Sequence, residues 1–321
     1  MSFSRTDIVS VAQALAVEYL GVVLGFFRVL SDRSKLTAEE ISEQCKVDLA
    51  YTTRWLEAAA SMRLVLQTDG HWSLSSTDVK RVSGEQHTAS VIQAVYSILI
   101  ADAAVSLFRS GDRPGYEIVG QFKNLTPYYA LIGETLFGDR FSAEILPTIE
   151  SYDCAKAERG LIADYWGGNA YLLERFLASH PKWTGQVVGG ASAGFDKNAI
   201  EYISDAQFSA ALDSSYDIIL ANRVAHHFGD GKFERFRMFY RRLRPGGLVC
   251  VWDFCWPEQA SGPNLVAAGD LPFLNLIEHI QGNHMLTKQD IEAVLVAVGF
   301  EIKSEPRRKG LELLAIGQKP V

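Results

Sequence analysis

The stretch Gly160-Leu161-Ile162-Ala163-Asp164-Tyr165-Trp166-Gly167-Gly168-Asn169-Ala170 limits the fold more than any other part of the chain. An apolar run ends in an acid and meets two adjacent glycines. Ala170–Ala178 follows, with apolar residues at helical spacing. This order is strand, turn, helix. Glycines serve where the backbone takes φ > 0 or must approach a ligand closely. The helix that follows aims unsatisfied N–H groups at the turn, and in open parallel sheets ligands bind at that carboxyl end of the strand. The dinucleotide fingerprint needs three glycines at fixed offsets, and this turn has two side by side. On its own the stretch is a βα turn of an α/β domain, with or without a ligand.

The chain keeps alternating beyond it. Gln186–Gly189 is the next strand, Asp196–Tyr202 a helix, and Tyr216–Ala221 a buried strand. Lys232–Leu243 is a helix ended by Arg244-Pro245-Gly246-Gly247, and Leu248–Phe254 is another buried strand. Thr287–Val298 is a helix capped by Thr287, with Asp290 three residues on and Gly299 as its stop. Two strands near Phe300–Ser304 and Leu311–Gly317 complete the pattern. Strands alternating with helices predict a mostly parallel sheet with helices on both faces.

The first hundred residues read differently. Ile8–Leu30 is apolar at helical spacing, but Gln13, Glu18 and Arg28 make it a buried packing element rather than a membrane span or a signal peptide. Thr37 and Glu40 form a capping box that starts a second helix. Asp48 caps a third, running to about Met62, and Leu64–Leu74 folds back on itself at Asp69-Gly70 as a hairpin. Helix, turn, helix and hairpin make a winged helix. Ala89–Phe108 is a further apolar helix, suited with Ile8–Leu30 to a dimer contact. Arg109–Gly115 is a loop, and Tyr128–Tyr152 is helical with an interruption near Gly138. The expected division is a winged-helix dimerisation domain (1–110), a helical linker (111–155) and a Rossmann-like domain (156–321).

A winged helix often carries its second helix into the DNA major groove. Here that helix offers Arg54 and Arg63 but also Glu57, with Ala58-Ala59-Ala60 at its middle, and the whole chain has a net charge of −7. Phosphate neutralisation needs clustered Lys and Arg, so no nucleic-acid partner is expected. Cys45, Cys154, Cys250 and Cys255 show neither C-x-x-C pairing nor His-rich spacing, so no metal site is expected and a reducing, cytoplasmic setting is.

Tyr216–Phe228 together with Leu243-Arg244-Pro245-Gly246-Gly247-Leu248-Val249 resembles the class I S-adenosylmethionine-dependent methyltransferases. The resemblance is to the small-molecule O-methyltransferase branch, with its N-terminal winged-helix dimerisation domain and homodimer. It implies methyl transfer to a hydroxyl of a small aromatic or polyketide-like secondary metabolite. Members of this branch have also been recruited to decarboxylation, hydroxylation and pericyclic chemistry, which is the competing expectation.

By that resemblance Asp164, Gly167 and Gly168 cradle the methionine part of the cofactor, while Trp166 and Ala170 replace further glycines. Gly190 stands where an acid usually holds the ribose, and charged hydrogen bonds of roughly 1.5–3 kcal/mol are lost with it. Asp205, Gln207 and Phe208 resemble the segment that brackets adenine, and Asn222 and Arg223 the cofactor side of the next strand. His226 stands where relatives carry the general base; the alternative is that it only caps the loop after its strand. His227 is a candidate for the substrate rim, Asp253 and Glu258 stand where relatives place a helper acid, and Trp256 and Phe273 would line an apolar substrate pocket.

Overall fold

The strand Tyr216–Asn222 is buried at every position but its last, which requires cover on both faces of the sheet. The computed structural model describes residues 5–32, 35–74, 82, 84–110, 122–125, 128–167, 170–189, 199–258 and 271–321. The chain divides into two compact units, Met1–Val105 with Gly120–Leu136, and Ser106–Val119 with Phe137–Val321.

The first unit is mainly helical. Arg5–Val23 and Phe26–Asp32 replace the single helix expected over Ile8–Leu30. Gly25, at φ +80°, separates them, and their axes differ by 68°. Among the described residues no single helix is long and apolar enough to cross a membrane, although this bent pair reaches the length jointly. The Thr37–Glu40 capping box opens Ala38–Cys45, and the Asp48 carboxylate accepts from the Ala50 and Tyr51 N–H groups at the start of Leu49–Ser61. Strands β1 (Leu66–Thr68) and β2 (His71–Ser73) pair antiparallel around Asp69-Gly70, both at positive φ. Glu85–Ser110 is a helix that begins four residues before the apolar run it carries.

The second unit holds a seven-stranded sheet made of β3 (Leu161–Tyr165), β4 (Thr184–Val188), β5 (Ile200–Ile203), β6 (Tyr216–Asn222), β7 (Leu243–Phe254), β8 (Glu301–Arg307) and β9 (Glu312–Gln318). Their order is β5-β4-β3-β6-β7-β9-β8. Strands β3 to β7 are mutually parallel, and β9 runs antiparallel between β7 and β8. The order reverses between β3 and β6, so a crevice is expected beyond the carboxyl ends of those two strands.

Residues 199–203 correct the helix expected over Asp196–Tyr202: Ile200–Ile203 is the edge strand β5, paired with β4. Ile200 and Tyr202 pack against one core and Ile203 belongs to the other, while Glu201 is exposed. Two cores flank the sheet. Ala163, Tyr165, Phe208, Phe236 and Phe239 gather on one face, and Ile162, Leu172, Phe176, Leu220 and Trp252 on the other. The helix Lys288–Val298 has the Thr287–Asp290 capping box and ends at Gly299, at φ +110°. All four cysteines are free.

Candidate active site

The strands deliver two polar clusters to their carboxyl ends. The first surrounds the glycine turn. Asp164 is wholly buried, and neither of its carboxylate oxygens has a hydrogen-bond partner among the described residues. Burial pushes its pKa up to about 8. A Cβ on Gly167 would lie 2.0 Å from Asp164 Oδ2, so no other residue fits that position without displacing the acid. Asn222, ending β6, donates from Nδ2 to the Tyr171 hydroxyl at 3.3 Å, while its buried Oδ1 has no partner among the described residues. Burial and then the nearby Asp164 charge hold the Tyr171 phenol well above its ordinary value. Three buried acceptor oxygens without donors cost free energy unless a ligand satisfies them. A cation carrying several N–H groups has the matching chemistry.

Trp166 and Ala170 take left-handed backbone conformations, at φ +56° and +66°. For residues with a Cβ this costs roughly 1–2 kcal/mol each, and such strain collects at functional sites. The Trp166 indole stacks on Tyr165 with ring centres 5.7 Å apart. It also lies along Gly189, where an added Cβ would be 2.6 Å from indole Cδ1. Gly168 and Gly190 lie outside the described residues.

Several expected cofactor contacts are committed elsewhere. Phe208 is fully buried between Tyr165, Tyr216 and Phe239, so its ring packs the core instead of bracketing a base. Gln207 closes the capping box of Asp205–Ala210 with Ser204. Asp205 accepts from the Tyr165 hydroxyl and pairs with Arg235 Nη1 at 3.0 Å. Arg223 turns away from the crevice. Its guanidinium lies over Phe137, Trp252 and Phe254, 4.2–4.6 Å from their ring centres, and its Nη2 is 3.0 Å from Glu312 Oε1. Arg140 grips Glu312 with two hydrogen bonds of 2.9 and 2.8 Å. Burial alone would raise the Glu312 pKa, but Arg140 and Arg223 bring it down to about 2. Glu312 and three aromatic rings surround Arg223, while its buried Nε and Nη1 have no hydrogen-bond partner among the described residues.

The second cluster follows β6 on the short turn Ala225–Gly231. His226 is buried, and its Nδ1 lies 2.8 Å from Asp253 Oδ1, at the end of β7. The other oxygen of Asp253 accepts from the His226 backbone N–H at 3.2 Å. This bidentate hold assigns the Nδ1 proton toward Asp253 and leaves Nε2 as the nitrogen that faces Glu278. Nε2 lies 3.6 Å from Glu278 Oε2, and His227 Nε2 lies 3.5 Å from the same oxygen. Asn283 Nδ2 donates to that oxygen at 2.7 Å.

Burial pulls the His226 pKa down, but the charge and hydrogen bond of Asp253, with Glu278 behind them, outweigh it and raise it. Burial holds His227 below the ordinary value, opposed by its hydrogen bond to Glu278. Burial would raise Asp253 and Glu278, yet the histidines keep both low. Adjacent imidazoles pushed in opposite directions are an arrangement suited to acid–base work.

Asp253 therefore supports His226 directly, whereas Glu258 sits on the turn after β7, where no hydrogen bond or ion pair joins it to His226 among the described residues. Trp256 is partly buried, and its backbone N–H donates to the Leu286 carbonyl. Phe273 is 42% exposed on the helix Leu271–Ile280. That helix supplies Glu278, a residue the sequence reading did not single out. Its signal was faint: one acid in the otherwise apolar run Leu271–Ile277 and beyond.

No family model matches the chain, and no curated protein matches it by sequence. Solved structures share its fold along its full length. An O-methyltransferase family protein from Burkholderia thailandensis superposes with a TM-score of 0.66 at 16% identity, covering 100% of this chain and 99% of that one. Human N-acetylserotonin methyltransferase, in complex with S-adenosylmethionine, gives 0.66 at 15% identity over 100% and 99%. The N,N-8-amino-8-demethyl-D-riboflavin dimethyltransferase of Streptomyces davawensis gives 0.67 at 17% over 98% and 97%. The chain has the methyltransferase fold: a Rossmann-like α/β sheet preceded by a mainly helical N-terminal domain.

Proposed function

We propose that this chain is an S-adenosylmethionine-dependent methyltransferase that acts on a hydroxyl of a small aromatic or polyketide-like metabolite. The observation that carries the reading is the pairing, at neighbouring strand ends, of an unsatisfied acidic cradle with a carboxylate-oriented histidine. When bound, S-adenosylmethionine supplies an electrophilic methyl group on a sulfonium sulfur. Asp164 and Asn222 would hold its ammonium group, and Gly167 admits the backbone of the turn close to it.

His226 accepts the hydroxyl proton at Nε2 as general base. Asp253 keeps the ring in the tautomer that presents that nitrogen and stabilises the imidazolium that forms; Glu278 adds negative charge on the other side. Because the His226 pKa is raised and the base must be neutral, activity should climb with pH through a value above the ordinary ~6.5 of histidine. Calorimetric titration with S-adenosylhomocysteine, followed by transfer of labelled methyl to a panel of phenols, tests the reading. No binding heat and no labelled product would remove it.

A second reading keeps the fold and drops methyl transfer. The Trp166 indole lying along Gly189 favours it, because it takes up space beside the end of β4. A substrate consumed without cofactor and without a methylated product would establish that reading instead.

A homodimer through the N-terminal helices is also proposed. Ile8, Val9 and Val11 on Arg5–Val23 and Ile98 and Val105 on Glu85–Ser110 are each at least 51% exposed, an apolar surface that a second copy would cover. Light scattering should give twice the chain mass for the wild type and a smaller mass for Ile98→Glu. A wild type at the mass of one chain would end the idea. Four unpaired thiols fit a reducing, cytoplasmic setting.

A further inference from the structure

We infer that His226, His227 and Glu278 form a three-ligand site for a divalent first-row transition ion of the zinc type. The inference goes beyond the methyl-transfer reading and does not rest on it. The three candidate donor atoms, His226 Nε2, His227 Nε2 and Glu278 Oε2, lie within 4.8 Å of one another. The two distances that involve Glu278 are 3.6 and 3.5 Å. Ligands about 2.0–2.2 Å from a tetrahedral zinc ion stand roughly 3.4 Å apart along each edge. Those two edges are therefore within a few tenths of an ångström of closure, and the third is bounded by the 4.8 Å within which the donor atoms lie.

The surrounding contacts are those a metal site requires. A ligating histidine almost always donates its other N–H to a carboxylate, and His226 Nδ1 lies 2.8 Å from Asp253 Oδ1. The ligating carboxylate is itself fixed by a hydrogen bond, here from Asn283 at 2.7 Å. Two carboxylates, Asp253 and Glu278, balance the charge of a dication between two neutral imidazoles. Two nitrogens and one carboxylate oxygen suit zinc, iron, cobalt or nickel, and not magnesium or calcium, which favour all-oxygen sets. The side chains of His227 and Glu278 are 18% and 17% exposed, which leaves the ion a route from solvent.

Three protein ligands leave a fourth position open, as in catalytic rather than structural zinc sites. His226 Nε2 cannot hold an ion and accept a proton at once, so the ion-bound site and the metal-free site in which His226 is the general base are alternative states of the chain. A water or substrate hydroxyl in the open position would then be polarised by the ion.

The test uses the full chain, stripped with a chelator and titrated with Zn²⁺ against a chromophoric competitor. A parallel titration with Co²⁺ reads the visible spectrum for four-coordinate geometry. One equivalent should bind. His227→Gln and Glu278→Gln should each weaken binding at least 100-fold, and Asp253→Asn about 10- to 100-fold. His71→Ala, on the exposed hairpin, should leave binding unchanged. Circular dichroism confirms that each variant is folded; should His227→Gln fail to fold, Glu278→Gln decides alone. No saturable binding, or wild-type affinity retained in the folded ligand variants, overturns the assignment. The assay contains no methyl donor, so its failure and the failure of methyl transfer are separate results.

Discussion

Asp164 and Asp253 are the same residue at the same depth, both wholly buried at the carboxyl ends of their strands. Around Asp164 there is no donor among the described residues, and burial drives its pKa up to about 8. Around Asp253 the opposing effect of burial is overcome by His226, Arg223 and His227, and its pKa falls. Depth alone therefore does not decide whether a carboxylate is charged; the partner does. One acid already has its cation and serves to orient it. The other lacks one, which is the state expected of a group that receives a cationic ligand.

The largest test of this contrast is Asp253→Asn. The substitution strips His226 of its charged partner and offers it the wrong tautomer, so methyl transfer should fall by about 10²–10⁴-fold at little cost to cofactor binding. Breaking a buried pair should also cost about 3–5 kcal/mol of stability. The raised His226 pKa contributes stability that is full below the unfolded value of ~6.5 and is lost as pH rises through the folded one. The lowered Asp253 pKa contributes above its unfolded value of ~3.9 and is lost as pH falls through the folded one. Thermal melts of wild type and variant should thus differ most between about pH 4 and 6.5, and by pH 9 the difference should shrink by the His226 contribution while that of Asp253 stays. A constant difference across that range would break the contrast.

Asp164→Asn should have a middling effect and the opposite sign on the free protein. With a raised pKa, Asp164 destabilises the fold progressively as pH climbs from ~3.9 toward about 8. The amide removes that penalty, so the variant should melt higher than the wild type at pH 9. It should also bind S-adenosylhomocysteine roughly 10- to 100-fold more weakly, for loss of one charged hydrogen bond. At pH 7 the wild type should release a proton on binding, seen as heats that vary with buffer ionisation enthalpy. Heats independent of buffer would show that no ammonium reaches Asp164.

Trp166→Gly should give the smallest effect. It relieves a left-handed backbone at φ +56°, about 1–2 kcal/mol, and clears the space along Gly189. Tighter binding of S-adenosylhomocysteine, by up to about tenfold, is expected. Weaker binding would mean that the indole is part of the ligand site, not an obstruction in it.

The local grammar of the chain was readable because its causes are local. Thr37 with Glu40, Asp48, Asp69-Gly70, Thr287 with Asp290 and Gly299 all act within a few residues, and each stands where it was expected. The edge strand Ile200–Ile203 differs from the expected helix because four residues are too few to establish a period, and only pairing with β4 decides. Asp205, Gln207 and Phe208 occupy the expected segment, but a capping box, an ion pair and core packing use them; the Ser204–Gln207 box is a local pattern, whereas the ion pair to Arg235 and the packing of Phe208 are not visible in residue order. Glu278 lies 52 residues from His226, and Glu312 lies 172 from Arg140. Such encounters are made by the sheet topology, which brings distant strand ends together after the chain has folded.

Strand β9, the latest of the seven in chain order, lies inside the sheet, hydrogen-bonded to β7 on one side and β8 on the other. During synthesis the edge of β7 therefore stays open until nearly the whole domain has left the ribosome. The three arginines that meet on Glu312, Arg140, Arg223 and Arg308, wait just as long for their shared counter-ion. A nascent chain stalled before residue 312 would carry an open, adhesive strand edge and an Arg223 without its Glu312 partner.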